Sequence, residues 1–134
     1  MSITKNAVFD RVRAAITTAY PAAYCTSERI PVPDDFPCAW IIEIDTYPEY
    51  SALSLDFTDD QRRSDFEIQA FSNDRTDATG QAEDIINIAK ATMKAMGYRC
   101  TTSRPLENGP DVDIKRHIAR FTRYIGSGDT LPNT

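Results

Sequence analysis

From Ser64 to Phe71 apolar and polar residues alternate one by one. Phe66, Ile68 and Ala70 share one face, and Asp65, Glu67 and Gln69 share the other. That period of two predicts a half-buried strand with one wet face. After the polar break at 72–76 the period lengthens: Ala78, Ala82, Ile85, Ile86, Ala89, Met93 and Met96 recur every three or four residues. This spacing predicts an amphipathic helix that lays its stripe on a sheet. Asp74 or Thr76 is placed to cap its start, with Asp77, Glu83 and Asp84 toward the positive end of the helix dipole and Lys90 and Lys94 toward the negative end. Gly97 suits the left-handed position that closes many helices. Gly80 is the weak point, costing up to ~1 kcal/mol against alanine in a helix interior.

The same patterns organise the rest of the chain. Val8, Val12, Ile16 and Ala19 predict a first helix over 4–19, with Thr4 as its cap and Pro21 beyond its end. Tyr24-Cys25 reads as the start of a brief strand, and the prolines of 30–37 exclude a central strand there. Ala39 to Tyr47 alternates again, with Trp40, Ile42 and Ile44 on one face and Glu43 and Asp45 on the other. Tyr50 to Arg63 predicts a hairpin arm or protruding loop. Tyr98 to Ser103 predicts a short strand, followed by a turn at 105–110. A last strand runs from Val112 to about Ile125, where Val112 and Ile114 have one parity and Ala119, Phe121 and Ile125 the other, so a bulge near 115–118 is expected. The element order predicts an α+β fold: a mainly antiparallel sheet with an N-terminal helix and one long central helix packed on it. Residues 1–125 are read as a single domain and 126–134 as a flexible tail.

Charge and chemistry narrow the function. The chain has 134 residues and a net charge of −5, which argues against a general binder of phosphate backbones. No apolar run reaches the ~20 residues of a membrane span, and the first residues lack an apolar signal-peptide centre, so synthesis in the cytoplasm is expected. Cys25, Cys38 and Cys100 are too few and too widely spaced for a disulfide framework and read as buried, reduced thiols. With His117 they are the right ligand types for zinc, but no close C-x2-4-C pair pre-organises them. No G-x-S-x-G, H-E-x-x-H or Gly-rich phosphate loop is present. Scattered carboxylates of a metal-dependent nuclease and the basic, aromatic strand of a single-strand binder remain as outside readings. Neither a cofactor nor a metal is expected. Glu43, Asp45 and Glu67 form an acidic set, and Arg116, Arg120 and Arg123 a basic one, suited to cross-strand pairing or to a subunit contact.

Four stretches together resemble the tail terminator, or tail completion, proteins of long-tailed bacteriophages and prophages. They are the N-terminal helix, the proline-rich approach to Phe36-Pro37-Cys38-Ala39-Trp40-Ile41-Ile42, the strand-turn-helix from Phe66 to Met96-Gly97-Tyr98, and the closing Asp113-Ile114-Lys115-Arg116-His117-Ile118-Ala119-Arg120-Phe121. The likeness lies in organisation and length. It implies a non-enzymatic virion subunit that closes into a ring, usually of six, on the head-proximal end of the tail tube. Its partners would be further copies of itself, the tail-tube protein and the head connector protein, with genomic DNA passing through the lumen without specific binding. A head-tail connector or stopper is the alternative within the same machinery. On this reading Glu43, Asp45 and Glu67 against Arg116, Arg120 and Arg123 supply ring contacts, and Tyr50, Phe57, Arg62 and Arg63 meet the tube or a neighbour.

Overall fold

The computed structural model describes residues 5–28, 36–48, 62–106 and 114–125. Lys5–Ala19 forms helix α1, where Val8, Val12 and Ile16 come round to one side and are fully buried. Ala19, expected to extend that stripe, is exposed because it lies in the last turn, where Pro21 ends the helix. Strand β1 (Tyr24–Thr26) pairs in parallel with β2 (Cys38–Pro48). Strand β3 (Arg62–Ser72) then leads into helix α2 (Ala78–Ala95), followed by β4 (Arg99–Leu106) and β5 (Lys115–Ile125). The sheet runs β1-β2-β3-β5-β4, and every ladder except β1–β2 is antiparallel. The fold is therefore α+β, with both helices on one face of the sheet. Of the arm or loop predicted over 50–63, residues 62 and 63 instead belong to β3, where they pair with β2 and β5; residues 50–61, the Thr4 cap and the 126–134 tail lie outside the described residues.

Helix α2 is closed at both ends by its own sequence. Asp77, rather than Asp74 or Thr76, is the N-cap, and its Oδ1 accepts from the Gly80 amide at 3.0 Å. Asp74 instead turns the chain just before, accepting from the Thr76 amide at 3.1 Å. Gly80 sits in the first turn, where a Cβ would strike the Asp77 carboxylate. At the other end the Tyr98 amide reaches the Met93 carbonyl at 2.9 Å and the Gly97 amide that of Lys94 at 3.0 Å. Gly97 takes φ +87°, completing a Schellman turn.

The core between helices and sheet contains Val8, Val12 and Ile16, Ala39 and Ile41, Phe66, Ile68 and Ala70, the α2 stripe, Tyr98, Ala119, Phe121 and Ile125. The Phe66 and Tyr98 rings meet edge to face, centroids 5.7 Å apart. A second cluster, Cys38, Trp40 and Phe71, lies on the opposite face, with Phe36, Ile42 and Ile114 packed on it. The parity predicted for β2 is right, but Trp40, Ile42 and Ile44 point away from the helices. Apolar residues on both faces also remove the expected bulge in β5, which pairs with β3 without interruption. Ile118 belongs to one face and Ala119 to the other. The irregularities fall instead between Glu43 and Asp45 in β2 and between Cys100 and Thr102 in β4.

Candidate functional site

The sheet face turned away from the helices carries most of the charged residues singled out in the sequence. Strand β3 is central, so its outward residues are flanked on both sides. Glu67 and Gln69 are consequently buried, not wet. Arg120, directly opposite Glu67 on β5, donates through Nε at 3.2 Å and Nη2 at 3.1 Å to Glu67 Oε1. Gln69 Nε2 donates to Glu67 Oε2 at 3.2 Å, and Arg116 Nη2 donates to Gln69 Oε1 at 2.7 Å. The Arg116 guanidinium lies over the Phe71 ring, 5.0 Å from its centroid. Burial pushes the Arg116 pKa down, and the nearby Glu67 charge acts against that shift. Along the same strands Thr122 Oγ1 donates to Asp65 Oδ1 at 2.6 Å, while Arg63 Nε stands 3.2 Å from Asp65 Oδ2. Two linked sets, Arg120–Glu67–Gln69–Arg116 and Thr122–Asp65–Arg63, thus lie across β3 and β5 and cover carboxylates that this strand position would otherwise strand from water.

The remaining predicted residues separate. Glu43 lies on the helix side, where Ser64 Oγ donates to its Oε2 at 3.4 Å and also shares a 2.8 Å hydrogen bond with the Tyr98 hydroxyl. Arg123 also turns to the helix side, donating through Nη1 to the Met96 carbonyl over Gly97. It therefore closes α2 and does not join Arg116 and Arg120. Asp45 and Arg62 are placed in the β2–β3 ladder, opposite Asp65 and Pro48. Tyr50 and Phe57 fall outside the described residues.

Beside the ion-pair row the open face carries uncovered apolar groups. Ile44 is 43% exposed and Tyr124 52% exposed, and both border a depression of about 390 Å³ with Arg63, Arg99, Arg120 and Thr122. Parity alone foretold Ile44 on this face. Tyr124 and Arg99 were not singled out, although each sits at the strand end where a flat face meets solvent.

The titratable and thiol groups lie apart from one another. Cys38 is buried, Cys25 half-buried and Cys100 exposed, and none of the three forms a disulfide, so the expectation of three buried thiols holds only for Cys38. Cys100 is on the edge strand, which leaves its side uncovered. Burial raises the Cys25 pKa to about 11, which Arg13 partly opposes. His117 shares a 3.1 Å contact with Ser103 Oγ, and burial lowers its pKa. Tyr20 donates to Asp84 Oδ2 at 2.6 Å, and that bond lifts its pKa to about 12. Among the described residues no three His, Cys, Asp or Glu side chains cluster as metal ligands, and no helix is long and apolar enough to cross a membrane.

No protein-family model matches the chain, and no curated protein matches it.

Proposed function

We propose that this protein is a tail terminator subunit, a structural component that closes into a ring on the head-proximal end of a phage tail tube and prepares it for head joining. The observation that supports this most is the sheet face on which, among the described residues, no helix packs. That face is internally braced by the Arg120–Glu67–Gln69–Arg116 row, and it presents Ile44 and Tyr124 to solvent. Such a face meets another protein without rearranging its own charges, because they are already paired. The element order and the stretches that resemble terminator proteins support the reading from the sequence side.

The test is mass in solution across a concentration series, alone and with the cognate tail-tube protein, combined with tube lengths measured by electron microscopy. A terminator caps tubes at one end and limits their length. Tubes that grow to the same length with or without it reject the reading. Metal-dependent cleavage of DNA would replace it with the nuclease reading.

A further inference from the structure

We propose that the groove between the C-terminal half of α2 and the start of β4 receives residues 55–60 of a second copy of this chain. The groove encloses about 480 Å³, with Tyr98, Cys100 and Phe121 as its floor and Lys90, Lys94 and Arg99 around it. Its construction follows from the helix end. Lys90 and Lys94 are one turn apart on α2, and the Gly97 turn brings the chain straight back so that Arg99 opens β4 beside them. Among the described residues none that lines the groove is acidic, and none of its three cations is in an ion pair. In a chain of net charge −5, an apolar slot rimmed by cations selects an apolar side chain flanked by carboxylates.

The sequence supplies that chemistry in Leu55-Asp56-Phe57-Thr58-Asp59-Asp60, which has two apolar anchors, three carboxylates and no cation. Of the other runs in which two carboxylates adjoin a phenylalanine, Asp34-Asp35-Phe36 already has its ring against the Trp40 cluster, and Asp65-Phe66-Glu67 has its ring in the core between helices and sheet. Residues 55–60 belong to the β2–β3 connection, whereas the groove is at the β4 edge, with β5 between. One copy's segment in the next copy's groove therefore leaves each pair with one free segment and one free groove. That contact is heterologous and propagates until it closes. The inference gives the ring of the proposed function its subunit contact and rests on that reading for the ring alone.

Two variants test it. Lys90→Glu with Lys94→Glu disables the groove, and Phe57→Ser with Asp59→Asn and Asp60→Asn disables the segment; melting curves matching wild type establish that each is folded. By light scattering, wild type grows beyond dimers with concentration, each variant alone stays monomeric, and the mixture stops at one heterodimer. In that mixture the exposed Cys100 of the copy with the intact groove reacts with a thiol reagent ~10-fold more slowly, the protection expected when about nine tenths of the grooves are filled. A mixture that stays monomeric, or a groove variant that assembles like wild type, overturns the inference. So does a segment variant whose Cys100, alone and dilute, reacts faster than that of wild type, because the segment then fills its own groove. Tube capping by wild type without heterodimer formation removes the groove contact and leaves the terminator reading standing, whereas heterodimer formation without capping does the reverse.

Discussion

The two faces of the sheet bury their residues by different means. On the helix side Phe66, Ile68 and Ala70 disappear beneath α1 and α2, and the stabilisation is that of apolar area removed from water. On the other side Glu67, Gln69 and Phe71 are nearly as buried although no helix among the described residues lies above them, screened by the side chains of β5 and by the Trp40 cluster. One face depends on apolar packing and the other on ion pairs and hydrogen bonds between side chains. They should therefore fail differently when single residues are removed.

The largest effect belongs to the packed face. Phe66→Ala, which empties a fully buried site against Tyr98, is expected to cost about 3–5 kcal/mol in denaturant unfolding. On the open face the sign of the charge decides the size of the loss. Arg120→Ala leaves the buried Glu67 carboxylate without its two guanidinium bonds, at a cost of ~2–3 kcal/mol. Glu67→Gln leaves an arginine whose side chain is 56% exposed and rehydrates, at ~1 kcal/mol. Equal losses for the two variants would mean that the row is not asymmetric in the way its burial implies.

Ile44→Asp separates stability from contact. Its unfolding free energy should fall by no more than about 1 kcal/mol, since much of the side chain is already exposed, while tube capping is lost. Retained capping would exclude this part of the open face from the interface.

The smallest effect is a pH dependence. Burial holds the folded-state pKa of His117 below 6.5, so the unfolded chain binds the proton more readily. The stabilisation is present above the unfolded value and is lost as pH falls through it toward the folded one. Wild type should therefore lose slightly more melting temperature than His117→Gln on going from about pH 7.5 to about pH 5.5. Parallel curves for the two proteins would contradict the burial of the imidazole.

Local pattern sufficed where one residue's neighbours in sequence are also its neighbours in space. The α2 stripe and the Gly97 stop were legible for that reason: every contact that defines them lies within five residues. The cap was misplaced by one candidate, because Asp74 and Asp77 both head turns and only geometry selects which carboxylate faces the free amides. Glu67 was misread as wet because alternation states which face a residue takes, not whether that face is covered. The charged set was legible as a set. Its division was not, since Arg120 reaches Glu67 across a separation of 53 residues while Arg123 turns to the other side of the sheet.

Sequence alone carries the periods: which residues are helical, which alternate, and where α2 stops. The tertiary structure alone decided that β5 inserts between β3 and β4, making β3 central and burying its polar side. It also decided that both helices choose the Ala39–Ile41 side of β2 and leave Trp40 to the other. The physical reason is that strand order and helix placement minimise exposed apolar area summed over the whole chain, a quantity that no stretch of sequence contains.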